Sequence, residues 1–169
     1  MRAGGDIMKG NGFALTELIV VVAIIGTLLT IATIGFNSWT RKYGTEAQVK
    51  ELLTDITAVR LRAIETKQRH QLTLNPGAMS VAFWTDAGVL TQLPGFSKSL
   101  KYPIQQFSNG VLSAFDNTTL VFNERGYLPA AGLTIAVGDL QNGAAQNCLV
   151  IHTARINIGR INGNSCDLQ

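Results

Sequence analysis

From Phe13 to Phe36 the chain reads FALTELIVVVAIIGTLLTIATIGF, 24 residues with a single charge, Glu17. At about 1.5 Å rise per residue, a helix of that length covers roughly 36 Å, enough to cross a hydrocarbon core about 30 Å thick. The apolar region of a secretory signal is shorter, about 7–15 residues, and ends in a small-residue cleavage site. No A-x-A site follows here, and the helical pattern runs straight on. The run therefore predicts a transmembrane helix. Glu17 makes it more than a plain anchor, because a carboxylate in an apolar span costs a few kcal/mol unless something compensates it. The nearest upstream cation, Lys9, lies eight residues away across Gly10-Asn11-Gly12. With 169 residues in all, the remainder suffices for one domain.

Past Phe36 the pattern turns amphipathic. Val49, Leu52, Leu53, Ile56, Val59 and Ala63 recur at helical spacing, and charged residues such as Lys50, Glu51, Asp55, Arg60 and Arg62 fill other positions. No proline interrupts before Pro76, so one helix from 13 to about 67 is expected, with Gly26, Gly35 and Gly44 as the places it could bend. Short β-rich runs at 71–74, 80–84, 120–122, 133–137, 148–152 and 156–161 are separated by Gly, Pro, Asn and Asp. A helix followed by strands predicts an α+β domain: a long N-terminal helix, apolar in its first half and amphipathic in its second, packed on an antiparallel sheet.

Lys9-Gly10-Asn11-Gly12, followed by Phe13-Ala14-Leu15-Thr16-Glu17-Leu18 and the apolar run to Gly26, resembles the class III signal of type IV pilins and type II secretion pseudopilins. Two positions depart from the family: Ala14-Leu15-Thr16 replaces the commoner Thr-Leu-Ile, and Ile34 stands where many major pilins carry proline. The resemblance implies that prepilin peptidase removes residues 1–12 by cutting after Gly12 and methylates Phe13 as the new terminus. Met1 would give a leader of twelve residues and Met8 one of five. Residues 13–36 are then the membrane and assembly helix, and 37–169 a pilin-like periplasmic domain anchored in the inner membrane. Leu120 to Tyr127 and Leu149 to Ile161 are similar to the strand–turn–glycine and final hairpin of minor pseudopilin H and its minor-pilin relatives. The partners implied are other pilin subunits and an assembly platform, in either a type II secretion pseudopilus or a type IV pilus. Within such a filament Glu17 would neutralise the amine of Phe13 on a neighbouring subunit, fixing the stagger.

In a periplasmic domain Cys148 and Cys166, which enclose 17 residues, could form a disulfide contributing about 3 kcal/mol; the alternative is two unpaired thiols. Lys and Arg number 14 against 11 acids, and this small surplus with no basic run makes no case for nucleic acid by charge alone. The resemblance raises that possibility again, since some minor pilins contact DNA through a Gly-Arg-x-Arg tail. Here the string is Gly159-Arg160-Ile161-Asn162, so Arg155 would have to supply the second arginine from beside Arg160. His70 and His152 stand 82 positions apart, and the cysteines lack zinc-site spacing. No metal, cofactor or enzymatic site is expected, and Asp86, Asp116, Glu124 and Asp139 sit in turn contexts.

Overall fold

The computed structural model describes residues 15–84, 88–94, 96–115, 118–129 and 132–168, with the backbone alone for 31–35. Gly12, Phe13, Asp86 and Asp116 lie outside these residues. The chain divides after Trp39 into two compact units, a little beyond the expected boundary at Phe36.

Helix α1 (Leu15–Thr66) starts in the first unit. Its segment from Leu15 to Thr30 exposes apolar side chains all round, from Leu15 at 76% to Val21 at 45%. A helix apolar on every face has no single buried stripe and is matched to an apolar surrounding. Two of its threonines return their hydroxyls to the helix itself, Thr27 Oγ1 to the Ile24 carbonyl at 2.8 Å and Thr30 Oγ1 to that of Gly26 at 2.9 Å. That leaves those donors little need of water. Among the described residues no helix is long and apolar enough to cross a membrane; description of the side chains in the apolar run stops at Thr30.

In the second unit the structure is α+β, with two antiparallel sheets. The first sheet has the order β3-β2-β1-β7, with β4 pairing β2. Its strands are β1 (His70–Asn75), β2 (Ala78–Trp84), β3 (Leu90–Gln92), β4 (Lys98–Ser99) and β7 (Thr118–Phe122). The second sheet has the order β11-β10-β9-β8-β5-β6. It is built from β5 (Ile104–Ser108), β6 (Val111–Ala114), β8 (Leu133–Val137), β9 (Cys148–Ile151), β10 (Ile156–Asn162) and β11 (Ser165–Leu168). All six strands expected from the sequence are present, and β3, β4, β5, β6 and β11 are additional. The β5–β6 turn is Asn109-Gly110, both at positive φ (48° and 81°), as a two-residue hairpin turn requires.

The α1 stripe Val49, Leu52, Ile56, Val59 and Ala63 is fully buried. It shares one core with Leu72, Leu74, Val81 and Phe122 of the first sheet and Ile104, Ile135, Leu149 and Ile151 of the second. Leu53, expected inside, is only partly buried against this core, because it stands one position off the stripe. The α1 stripe ends at the chain reversal where Lys67 adopts φ 54°, a left-handed conformation more usually given to glycine.

Polar contacts fix the loops onto the helix. The buried Gln48 amide accepts from Tyr102 N at 2.8 Å and donates to the Tyr102 carbonyl at 2.6 Å, pairing with the backbone as a neighbouring strand would. Gly44 is needed where Tyr102 crosses the helix, since a Cβ there would overlap the tyrosine ring. Thr45 Oγ1 accepts from Asn142 Nδ2 at 2.8 Å, and Glu46 Oε1 from Ala145 N at 2.7 Å. Lys98 pairs with Asp55 and, at 2.9 Å, with Glu51. Burial pulls its pKa down, but the hydrogen bonds and charges of these carboxylates outweigh that and hold it above the ordinary lysine value.

Leu52→Ala or Ile56→Ala should lower the unfolding free energy by about 2–5 kcal/mol in denaturant titrations, and Leu53→Ala by clearly less, since only the first two leave a fully enclosed cavity. Equal losses at positions 52 and 53 would contradict this assignment of the buried face.

Candidate functional site

Glu17 lies in the first described turn of α1 and is exposed, amid exposed Leu15, Leu18, Ile19, Val20 and Val21. An acid at a helix N-terminus is favoured by the partial positive charge of the free backbone N–H groups. That effect is worth only a few tenths to about 1 kcal/mol at an exposed position, less than the cost of an unpaired carboxylate once its apolar surroundings are covered. The arrangement therefore calls for a cation when this face is buried. Its expected partner is the amine of Phe13 on a neighbouring subunit, and Phe13 lies outside the described residues.

At the other end of the chain Cys148 and Cys166 form a disulfide, with Cα atoms 6.2 Å apart. The bridge joins β9 to β11, both of which flank β10. In register, Gly159 of β10 pairs with Cys148 on one side and with Leu168 on the other. Two strands separated by a third normally stand about 9.6 Å apart, so a 6.2 Å link requires the β10–β11 hairpin to curl over the outer face of the sheet. Gly159 permits the curl: a Cβ there would strike the Asp167 carbonyl and approach Cys166 Sγ to 3.0 Å. At the hairpin tip, Asn164 comes close enough to the β5–β6 turn that a Cβ on Gly110 would meet its side chain at 2.5 Å.

The curled hairpin covers a second, smaller apolar layer outside the main core, including buried Phe107, Ala136 and Cys148. Beside it lies an open cavity of about 350 Å³, lined by polar groups such as Thr134, His152, Asn164 and Ser165 over Phe107 and Val150. Ser165 is engaged, its hydroxyl donating to Asp167 Oδ1 at 2.8 Å. The cavity can hold water or a small neutral polar group; it presents no assembled nucleophile and base.

Arg155 and Arg160 are both exposed but are not brought together. Arg155 precedes β10, and five residues of extended chain, about 16 Å, carry the backbone from one to the other. Arg160 stands opposite Asp167 of β11. Arg155 instead adjoins Arg60, whose Nη1 donates to the Ala154 carbonyl at 2.6 Å. His70 is buried, stacked on Phe83 with ring centroids 5.8 Å apart and its Nδ1 3.0 Å from the Gln68 carbonyl, whereas His152 is exposed. The two do not form a site. Asp139 caps its own turn by accepting from Gln141 N at 2.9 Å. No group of three or more metal-binding side chains occurs among the described residues.

Sequence reasoning paired the cysteines correctly but missed what the pairing does. Gly159, read as half of a Gly-Arg motif, is the residue over which the hairpin folds. The available signal was the Asn109-Gly110 turn, which marks the hairpin that receives the tip. Comparison with family models, with curated proteins and with solved structures finds no match to this chain.

Replacing both Cys148 and Cys166 by alanine should lower the unfolding free energy by about 3 kcal/mol. Gly159→Ala should destabilise the oxidised protein strongly and the cysteine-free protein less, because an untied hairpin can back away from the new methyl. Strictly additive losses in a double-mutant cycle would show that the hairpin does not press on residue 159.

Proposed function

We propose that this chain is a non-enzymatic structural subunit of the pilin and pseudopilin type. In this reading prepilin peptidase processes it at Gly12–Phe13, residues 13–36 hold it in the inner membrane, and it is then incorporated into or at the tip of a helical filament. The observation that carries the reading is the division of labour along α1. One stretch is apolar and exposed on every side with a lone acid, Glu17, and a later stretch buries a single stripe inside an α+β domain. An element of the first kind is stable only when lipid or other copies of itself cover it. One of the second kind needs no partner.

Glu17 gives the mechanism its specificity. Packing apolar helices side by side is tolerant of sliding, since one leucine surface resembles the next. A buried carboxylate is not tolerant. Unpaired, it costs several kcal/mol, so the register that places a cation beside it is selected over its neighbours. A methylated amine at Phe13 of an adjacent copy is the cation this chain would supply. The disulfide suits a domain that faces the periplasm, where oxidised thiols persist. Whether the filament belongs to a secretion pseudopilus or a type IV pilus turns on partner subunits that this chain does not encode.

Mass spectrometry of assembled protein should find N-methylated Phe13 as the first residue; an intact Met1 or Met8 terminus would overturn the assignment. Glu17→Val should leave insertion and cleavage unchanged and reduce recovery in sheared filaments at equal membrane levels. Recovery equal to wild type would remove Glu17 as the register device.

A further inference from the structure

Between Glu17 and Arg41 the chain carries no ionisable side chain. Its texture nevertheless changes before that stretch ends. Phe36, Asn37, Ser38 and Trp39 close the first unit, all of them exposed, and the chain continues through Thr40 to Arg41 and Lys42. Phe36 and Trp39 stand three positions apart on α1, so they share a face. Their rings stack with centroids 6.4 Å apart and planes inclined by 29°. This paired ring surface is not turned inward: Phe36 is 64% exposed and Trp39 56%.

Two exposed rings side by side are more stable once something apolar covers them. An indole also carries an N–H, so it favours a place that is apolar on one side and rich in oxygen acceptors on the other. The headgroup layer of a bilayer is such a place, and it attracts the cations that follow in the chain as well. The length of the helix points the same way. At about 1.5 Å per residue, α1 covers about 33 Å from Glu17 to Trp39, close to the thickness of a hydrocarbon core, about 30 Å. With Trp39 in one headgroup layer, Glu17 reaches the other.

We propose that Phe36 and Trp39 dock into the headgroup layer of a lipid bilayer and set the depth of α1, so that Glu17 lies in the opposite headgroup layer while the chain is in the membrane. The proposal rests on the membrane reading given above and adds to it the depth at which the helix is held. A carboxylate at the edge of the bilayer keeps contact with water and avoids most of the cost it would bear at the centre. Its need for a cation then arises when α1 leaves lipid for the company of other subunits.

The test uses the full chain reconstituted in vesicles of phosphatidylcholine and phosphatidylglycerol, with Trp84→Phe so that Trp39 is the only tryptophan. A second protein combines Leu28→Trp with Trp39→Phe and Trp84→Phe, placing the probe midway between Glu17 and Trp39 along α1. Both are checked for an unchanged melt. Emission is quenched in turn by lipid brominated near the headgroup, by lipid brominated near the acyl ends and by aqueous iodide. Trp39 should lose about twice as much emission to the shallow label as to the deep one, and the Leu28→Trp protein the reverse. If the Leu28→Trp protein answers to the deep label while Trp39 answers to iodide alone, or to the deep label as strongly as to the shallow one, the docking is overturned and the membrane reading stands. Trp39 shielded from all three quenchers would also overturn it, in favour of cover by another protein surface. No quenching of either protein by either lipid label would overturn both.

Discussion

One stripe of α1 organises the folded domain. Val49, Leu52, Ile56, Val59 and Ala63 are buried by residues from both sheets, so neither sheet has a complete core without the helix. Each large aliphatic side chain removed from water contributes about 1.5–3 kcal/mol, so this stripe is a large favourable term. Non-directional burial does not fix register, and that is supplied by polar groups along the same helix. Gln48 bonds both backbone groups of Tyr102, Thr45 holds Asn142, and Lys98 reaches Glu51 and Asp55. Sliding the sheets by one residue would leave Thr45 and Gln48 buried without these partners.

Because the inner face of the second sheet is committed to the helix, its specialisation lies outside. There the β10–β11 hairpin folds back across Gly159 and is fastened by Cys148–Cys166 over Phe107 and Ala136. This layer is too small to hold itself by burial alone, and a covalent tie compensates for a short apolar inventory.

The two units follow opposite rules for their apolar residues. In the second, apolar side chains obey a helical or two-residue period and are covered by the chain itself. In the first, over Leu15–Thr30, they are exposed on every side of the helix, with Glu17 as the one charged group among these described residues.

The sequence by itself determined the elements whose signals are local. The stripe at helical spacing, the absence of proline before Pro76 and the alternating runs such as Leu133–Val137 yielded the long helix, six strands and the α+β class. It did not reveal β5 and β6 despite the Asn109-Gly110 turn, since Gln105, Gln106 and Ser108 dilute the alternation. Nor did it reveal β3, β4 and β11, which are two to four residues long and are strands only because a neighbour pairs with them. Leu53 read as core because periodicity locates a face only to within a residue or so, and packing against the sheets selected Leu52. Cys148 and Cys166 could be paired by count, but that their bridge crosses a strand at Gly159 depends on curvature, which no local pattern encodes. In the same way Arg155 parted from Arg160 and joined Arg60. Strand geometry separates near neighbours in sequence by about 3.3 Å per residue, while tertiary packing can close a gap of ninety residues in a single hydrogen bond.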